Sequence, residues 1–381
     1  MIRCPFGNRG DADRPQDLSR HILHAPRLHV PNEMSGLSPT DLAGHCRSGR
    51  RSGMMPAEVA GRDLLALLPF VERVSLCSAR DAEDHPMPAL VVTPHTYMPR
   101  IPEILGFSSR FHVYVKEECH QHGRSVKGRV AYAMACQSKS SGRRIVESSS
   151  GNLALGLAFW CDRLGAPQPL CLVDDCCETV MRAALTDAGC MIETVPLTAR
   201  EKDEQAGVHK RIALAEEYSR QGYYWPNQYD GEQWVRVHVE TTGPEVWKDP
   251  AAFDIVAGAV GTGATMSGIA ASRPADRTAR IVAVEPAGSM IFNSVAGAYR
   301  VAGAGNPFTP RNYRPELIDY EITVEDEATF RAMAALRRRG YRIGSSGSMA
   351  LVGALRASTA ESSRAIRSLL VVIADDGWYE N

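Results

Sequence analysis

Short apolar segments alternate with segments of helical periodicity from about residue 86 onward. Strands are predicted where aliphatic and β-branched residues form short runs, at 113–115, 145–147, 170–173, 191–195, 255–257, 280–284 and 369–373. Helices are predicted over 130–136, 153–164 and 182–188, and from residue 266. Because short apolar strands that alternate with helices pack as parallel sheets covered on both faces, the pattern predicts an α/β fold.

Residues 1–85 do not share this pattern. As far as Pro56 the chain is rich in Arg, Gly, Ser and Pro and has little apolar periodicity, which favours disorder or a loosely packed extension. From Glu58 to Val74 the apolar positions are compatible with an amphipathic helix on either side of Pro69. We therefore expect 1–85 to be a partly disordered N-terminal extension.

Size and charge narrow the possible function classes. The chain has 381 residues, enough for two domains with buried cores, and a formal net charge of -1. This balance gives no basis for a nucleic-acid or membrane-surface partner. The apolar run from Leu64 to Val71 is too short to span a bilayer, and no secretory signal is visible after Met1. Ten cysteines without paired spacing indicate reduced thiols and a cytoplasmic location.

The first candidate for chemistry is Lys127, which follows the turn Gly123-Arg124-Ser125 and opens a predicted helix. A lysine acts as a nucleophile only when it is partly unprotonated, which burial and nearby positive charge promote. An ordinary solvated surface lysine is the alternative. Arg124 carries a guanidinium that can bind an anionic group of a substrate, or else point into solvent.

A polar turn, Ser148-Ser149-Ser150-Gly151-Asn152, lies between a predicted strand and a predicted helix. Hydroxyls and exposed backbone N–H groups at a helix start form a cradle for a carboxylate. Asn152 can donate to a further oxygen. A simple N-cap run is the alternative.

A glycine-rich loop, Gly258 to Thr265, also joins a strand to a helix. Glycines let backbone N–H groups approach a phosphate, and the helix N-terminus favours its charge. Glu285, about twenty residues on, stands where a dinucleotide-binding fold places its ribose-binding acid, but Met266 occupies the place of the third glycine. An NAD-dependent dehydrogenase therefore remains an alternative. The turn at Ser345 and Ser346 indicates by itself only a helix cap.

Taken in this order, the four motifs resemble the fold-type II pyridoxal phosphate (PLP) enzymes of the cysteine synthase family. The segment Thr241 to Trp247 is a further match, and the resemblance covers residues 86–381. It implies a tryptophan synthase β-like α/β fold, with two parallel-sheet domains and helices on both faces. A smaller N-terminal domain, 116–230, would carry the PLP lysine. Residues 86–115 plus 231–381 would form the larger domain with the phosphate loop.

The resemblance also implies roles for individual residues. Lys127 would be catalytic and form the Schiff base with PLP. Ser345 would face the ring nitrogen as a neutral hydroxyl, which makes the ring a weaker electron sink and suits β-elimination. The cofactor-binding residues would be Lys127, Asn152, Gly261, Thr262, Gly263, Ala264, Thr265 and Ser345. The expected substrate-binding residues are Ser148, Ser149, Ser150, Gly151, Gln228 and Arg124, and no metal is implied.

The chain departs from the family pattern on either side of Lys127. Gln121 to Arg124 replaces an Asn-Pro-Thr-Gly approach, and Gly128 replaces an aspartate. Because glycine is a poor helix former, Gly128 is expected to loosen this helix start. A non-catalytic PLP-fold partner protein is therefore an alternative. The residues from Cys119 to His122 admit a second alternative, a metal site.

Four segments are similar to the N-(2-amino-2-carboxyethyl)-L-glutamate synthases of diaminopropionate biosynthesis, which serve siderophore or antibiotic production: 147–153, 225–229, 281–292 and Gly347-Ser348. This similarity implies β-replacement on an O-activated L-serine, with O-phosphoserine favoured, through an aminoacrylate. The nucleophile would be an amino-acid amine such as that of L-glutamate. Cysteine synthase, which uses O-acetylserine and sulfide, is the alternative. The expected partners are small amino-acid substrates and a second copy of the chain in a homodimer.

Overall fold

The computed structural model describes residues 90–200, 207–249, 252–293, 296–360 and 365–380. The predicted N-terminal extension, 1–85, and its amphipathic helix lie outside these residues. The α/β fold with parallel sheets is confirmed. None of the helices in the described ranges is both long and apolar enough to cross a membrane.

The strands, in chain order, are β1 His95–Tyr97, β2 His112–Glu117, β3 Val146–Ser148, β4 Leu170–Asp174, β5 Met191–Val195, β6 Ile255–Ala259, β7 Arg280–Pro286, β8 Tyr320–Val324 and β9 Ser368–Ile373. The helices are α1 Ile101–Ile104, α2 Lys127–Ser141, α3 Asn152–Leu164, α4 Thr179–Asp187, α5 Gly207–Arg220, α6 Glu232–Glu240, α7 Thr242–Trp247, α8 Ala264–Ala271, α9 Asp326–Arg337 and α10 Ser345–Ala360. Short 3-10 helices lie at Glu118–His120 and Pro315–Leu317.

The strands form two sheets. The larger sheet has the order β1-β2-β9-β6-β7-β8, and the smaller has the order β3-β4-β5. β1 pairs antiparallel with β2, whereas the other pairs are parallel. The division of the chain into domains at 116–230 and 86–115 plus 231–381 stays a prediction.

The larger sheet is buried on both faces. Along β6, Ile255 and Ala257 pack into one apolar cluster, which includes residues of α10. Val256 belongs to a second cluster together with residues of α8. Because successive side chains of a strand point to opposite faces, an unbroken apolar strand fills two cores at once.

The sequence motifs follow the carboxyl ends of the parallel strands. The lysine segment follows β2, the polar turn follows β3, the glycine loop follows β6, and Asp375 follows β9. Loops at the carboxyl ends of parallel strands meet at one edge of a sheet. α2 packs along α3, which brings the lysine segment and the polar turn together.

Gly128 lies in the first turn of its helix, and the expectation that it loosens the helix start stays a prediction. α2 begins at Lys127, and a Cβ at position 128 would overlap the carbonyl oxygen of His122. The Gly128 carbonyl accepts a hydrogen bond of 2.9 Å from Trp160 Nε1. The loop from Gln121 to Arg124 therefore requires a glycine at position 128, because the loop backbone occupies the space that a side chain at this position would fill.

Candidate active site

One cavity of about 480 Å³ collects the motifs. Its lining includes Lys127, the whole turn from Ser148 to Asn152, Gln228, and the loop residues Gly261, Thr262, Gly263 and Thr265. Three residues of the predicted site, Arg124, Ala264 and Ser345, are absent from the lining. Residues from both sheets thus face a single space large enough for an amino acid beside a small cofactor.

Lys127 lies where α2 begins, with its amine in contact with the glycine loop. The Nζ atom donates a hydrogen bond of 3.3 Å to Thr262 Oγ1. Burial lowers the pKa of Lys127 to about 8, an effect that the Glu147 carboxyl partly opposes. An amine with this pKa is unprotonated in roughly a tenth of the molecules at pH 7, a far larger fraction than for an ordinary lysine, and this fraction can act as a nucleophile or base.

Glu147 lies behind the polar turn and is completely buried. Its Oε1 accepts a hydrogen bond of 3.0 Å from the Ser148 amide. Burial raises the pKa of this carboxyl to about 8, although hydrogen bonds from Ser148 and Gln228 oppose the shift. Because a charged carboxylate without a strong partner is costly in such surroundings, Glu147 is mainly neutral at pH 7.

Hydrogen bonds with Gln228 and with the backbone of α3 hold the polar turn in place. Gln228 Nε2 donates a hydrogen bond of 2.7 Å to the Ser148 carbonyl. Ser149 Oγ accepts from the Ala154 amide at 3.2 Å, which connects the polar turn to the first turn of α3. Ser148, Ser150 and Gly151 line the cavity beside it. The turn therefore combines a hydrogen bond to the first turn of α3 with an open polar surface suited to a carboxylate.

Asn152 begins α3 and lines the cavity. Its Nδ2 donates a hydrogen bond of 2.6 Å to Asp375 Oδ2. Its Oδ1 is buried and has no hydrogen-bond partner within the described part of the chain. Since a buried amide oxygen without a partner is unfavourable, this side chain is suited to contact a polar ligand.

The glycine loop requires glycine for steric reasons. Gly263 has φ of 85°, and a Cβ there would lie 2.6 Å from the Tyr313 amide nitrogen. A Cβ at Gly261 would lie 3.0 Å from the Gly303 carbonyl oxygen. The loop leads into the N-terminus of α8, where backbone N–H groups point outward. This cradle fits the phosphate of PLP.

Of the two serines at the start of α10, only the second, Ser346, lines the cavity. Ser345 is buried, and its Oγ accepts a hydrogen bond of 3.0 Å from the Ala302 amide. Its own amide donates to the Glu380 carboxylate at 2.9 Å. Ser346 and the carboxyl of Asp375 line the cavity. Sequence reasoning did not identify Asp375 as a site residue.

The two arginines near the site differ in position. Arg124 Nη2 lies 2.7 Å from Asp376 Oδ2, and its guanidinium stands over the Trp378 ring. Arg211, on α5, lines the cavity and forms an ion pair with Asp174. Its Nε donates to Ser148 Oγ at 3.3 Å, which places the cation beside the polar turn.

Sequence reasoning missed Arg211. Its neighbours along the chain are charged residues of the same helix, Lys210, Glu216 and Glu217, so the sequence there resembles the solvent-exposed face of a helix. The partner that identifies it, Asp174, is 37 residues away at the end of β4. The pairing of Arg211 with Asp174 can be recognised only in the folded structure, where the two elements lie side by side.

The structure bears on two alternatives that the sequence left open. Glu285 is buried, and its carboxylate accepts hydrogen bonds from the Ile291 amide at 3.1 Å and the Phe292 amide at 3.3 Å. It is absent from the cavity lining, so it holds a loop and does not face a ribose.

Among the described residues, no group of three or more His, Cys, Asp and Glu side chains could hold a metal ion.

Comparison with known sequences places the chain among cofactor-dependent enzymes. A family model described as "Pyridoxal-phosphate dependent enzyme" matches residues 87–375. A cysteine synthase of Flavobacterium sp. is 34% identical over 248 residues, which is 63% of this chain and 79% of the relative. A cysteine synthase of Staphylococcus aureus is 30% identical over 254 residues, or 64% of this chain and 80% of the relative.

Solved structures share the fold. An O-acetylserine dependent cystathionine β-synthase from Helicobacter pylori superposes with a TM-score of 0.66 at 22% identity, covering 76% of this chain and 94% of that one. A hydrogen sulfide-producing enzyme from Fusobacterium nucleatum gives a TM-score of 0.66 at 25% identity, covering 76% and 96%. An O-ureido-L-serine synthase gives 0.65 at 24% identity, covering 76% and 90%.

Proposed function

The chain belongs to the family of pyridoxal-phosphate dependent enzymes, and we propose that it catalyses β-replacement on O-phospho-L-serine with an amino-acid amine such as that of L-glutamate. This is the activity of an N-(2-amino-2-carboxyethyl)-L-glutamate synthase in diaminopropionate biosynthesis. PLP, when bound, withdraws electrons from the substrate Cα, so that the Cα proton becomes removable and the β-substituent can depart.

Three parts of the cavity would hold the cofactor, together with Ser345, which is absent from the lining. Lys127 would bind it covalently, and the backbone of Gly261–Thr265 would hold its phosphate. Asn152 would meet the ring oxygen and Ser345 the ring nitrogen. Support comes from Asn152, which lines the cavity and whose Nδ2, beyond its hydrogen bond to Asp375, has only a contact of 3.5 Å with the Tyr379 hydroxyl. The glycines add support, because a Cβ at Gly261 or Gly263 would lie too close to neighbouring backbone for the loop to keep its conformation.

Lys127 is also suited to move the substrate proton. Its pKa, lowered to about 8 by burial, is close to physiological pH. A general base works best when its pKa lies near the operating pH, because it is then both available and basic enough. The nearby Thr262 hydroxyl, 3.3 Å from Nζ, orients the amine.

The observation that carries the choice of an anionic substrate is the position of Arg211. Apart from Lys127, it is the one lysine or arginine among the described residues that line the cavity. It lies beside the turn from Ser148 to Gly151, which would receive the substrate α-carboxylate. A guanidinium binds a phosphate more strongly than a neutral ester, because the hydrogen bonds are assisted by charge. Arg124 stays a predicted second contact for such an anion.

Cysteine synthase remains the second candidate, with O-acetylserine and sulfide as substrates. The names of the curated relatives support it. O-acetylserine, however, carries a neutral ester, which would leave Arg211 without a phosphate to bind. A homodimer and a cytoplasmic location are proposed on the sequence resemblance, and size-exclusion chromatography with light scattering tests the former.

The test is a product assay on the purified, PLP-loaded protein. O-phosphoserine and O-acetylserine are each offered with L-glutamate, with other amino acids and with sulfide, and products are identified by mass spectrometry. We expect a C–N bonded adduct from O-phosphoserine and L-glutamate that is absent with Lys127→Ala. Cysteine as the main product from O-acetylserine and sulfide would favour the second candidate. Absence of any adduct or cysteine would contradict both.

A further inference from the structure

Asp375 connects the end of β9 to the start of α3 across the cavity wall. The residue is 1% exposed, and its carboxylate accepts three hydrogen bonds. Oδ2 accepts from Asn152 Nδ2 at 2.6 Å and from the Tyr379 hydroxyl at 3.2 Å. Oδ1 accepts from the Gly377 amide at 2.9 Å. The Asn152 Nδ2 and the Gly377 amide can only donate, and the Tyr379 hydroxyl donates here, so the Asp375 carboxyl is the acceptor in all three contacts.

We propose that Asp375 is a positioning residue, which fixes the side-chain amide of Asn152 so that Asn152 donates to the ring oxygen of the bound cofactor. This inference rests on the proposed function in one respect, namely that Asn152 faces that oxygen.

The argument concerns the two ends of an amide. The Nδ2 and Oδ1 atoms of an asparagine have almost the same shape, so only hydrogen-bond partners decide which end points where. A carboxylate accepts and cannot donate, and therefore it selects Nδ2 as its neighbour. The second N–H of Nδ2 has a contact with the Tyr379 hydroxyl of only 3.5 Å, which is weak. It can therefore serve a ligand in the cavity.

The substitution Asp375→Asn inverts this selection. The new amide would keep its oxygen on the Gly377 amide, which needs an acceptor, and would direct its own NH₂ group at Asn152. Two NH₂ groups cannot donate to each other, so the Asn152 amide would turn and present its oxygen. The cofactor oxygen would then lose a donor while the volume and packing of the site remain the same.

The neighbouring residue provides a matched control. Asp376 also carries a carboxylate, but its Oδ2 pairs with Arg124 at 2.7 Å and with Arg342 at 3.2 Å. Unlike Asp375, it does not line the cavity. Asp376→Asn therefore removes the same charge from the same segment without touching Asn152.

The readout is the absorption spectrum of the bound cofactor, measured at equal cofactor occupancy. The deprotonated ring oxygen absorbs in the visible and the protonated form in the near ultraviolet, so the ratio of the two bands reports the donor. Losing one hydrogen bond should lower this ratio about two- to tenfold in Asp375→Asn and Asn152→Ala. Asp376→Asn should keep the ratio of the natural protein. Melting temperatures of the cofactor-free proteins separate this effect from a loss of folding.

A double-mutant cycle decides the mechanism. If Asp375 acts through Asn152, the variant that combines Asp375→Asn with Asn152→Ala has the ratio of Asn152→Ala alone. Additive changes, or a ratio in Asp375→Asn equal to that in Asp376→Asn, would overturn the proposal. An unchanged ratio in Asn152→Ala would also overturn it and would locate the error in the role given to Asn152, whereas the product assay tests the reaction separately. If Asp375→Asn does not fold, Tyr379→Phe serves instead. This substitution removes one hydrogen bond from the Asp375 carboxylate and should lower the ratio of the two bands about twofold. An unchanged ratio in Tyr379→Phe would count against the proposal.

Discussion

The Nζ atom of Lys127 lies 3.3 Å from the Thr262 hydroxyl, although 135 residues separate the two along the chain. The contact joins the start of α2 to the loop that leads into α8. A single small molecule placed in the cavity can therefore touch both the amine and the glycine loop. This is the arrangement that a PLP-dependent enzyme of this family requires.

Replacing Lys127 by alanine should abolish the covalent attachment of PLP and lower the rate by about two to four orders of magnitude, as loss of a general base does. Borohydride reduction of the natural protein should leave the cofactor on the peptide that contains Lys127. Lys139→Ala serves as the control, because Lys139 is an exposed lysine on the last turn of the same helix. Cofactor trapped on another lysine would refute the assignment.

Gly263→Ala should reduce PLP occupancy more than Gly303→Ala. Both glycines have positive φ, so either variant pays about 1–2 kcal/mol for the left-handed backbone. Only at position 263 does the added Cβ meet backbone, 2.6 Å from the Tyr313 nitrogen, whereas at Gly303 it meets nothing within 4 Å. The further cost of such overpacking is about 1–3 kcal/mol.

Cofactor titration of the apoproteins measures the difference between these two variants. Thr262→Ser retains both the backbone and the hydroxyl and should bind PLP nearly as the natural protein does. Equal affinity in Gly263→Ala and Gly303→Ala would show that the close approach to Tyr313 is unimportant.

The sequence predicted those features whose signals are local. The strand at 191–195 coincides with β5, and the predicted strands at 170–173 and 255–257 fall within β4 and β6. An apolar run bounded by turns carries this information within a few residues. β8, Tyr320–Val324, was not predicted, since it lies at the edge of the sheet, only Ile322 and Val324 of its five residues are buried, and the charged Glu321 interrupts its apolar character.

The contacts that complete the site are not local. Asn152 and Asp375 are 223 residues apart, and Arg211 is recognised only through Asp174 on another element. In the sequence, the aspartate and the arginine of these contacts look like any other charged residue. The order of the four motifs could be recognised from the sequence, whereas the acid beside Asn152 and the cation beside Ser148 require the assembled fold.

Arg211→Gln should lower kcat/KM for O-phosphoserine about ten- to a hundredfold and have much less effect with O-acetylserine. A charge-assisted contact to a phosphate contributes about 1.5–3 kcal/mol, and the neutral ester offers no comparable partner. Steady-state kinetics with both substrates measures this selectivity.

Arg124→Gln provides the comparison, because the sequence predicted the same role for Arg124, which is absent from the cavity lining, whereas Arg211 lines the cavity. We expect a smaller loss there than at Arg211. A larger loss at Arg124 would assign the anion contact to the loop before Lys127. Equal losses with both substrates in Arg211→Gln would indicate that the pair with Asp174 supports the fold instead.

Glu147→Gln should make the cofactor-free protein more stable relative to the natural one as pH rises. Burial raises the pKa of Glu147 to about 8 from an ordinary value of 4.5, so between these values the folded state holds a proton that the unfolded state has released. The contribution of Glu147 to stability is therefore present below about pH 4.5 and is lost as pH rises through 8, and glutamine removes this loss.

The expected difference in unfolding free energy between Glu147→Gln and the natural protein grows by an amount on the order of a few kcal/mol from pH 5 to pH 8. Urea unfolding at both pH values measures it. Glu178→Gln, at an exposed glutamate on the rim of the same cavity, controls for the loss of a carboxyl. If the two pH values give the same difference, Glu147 keeps one charge state throughout, and the buried carboxyl beside Lys127 is not the neutral group that its surroundings favour.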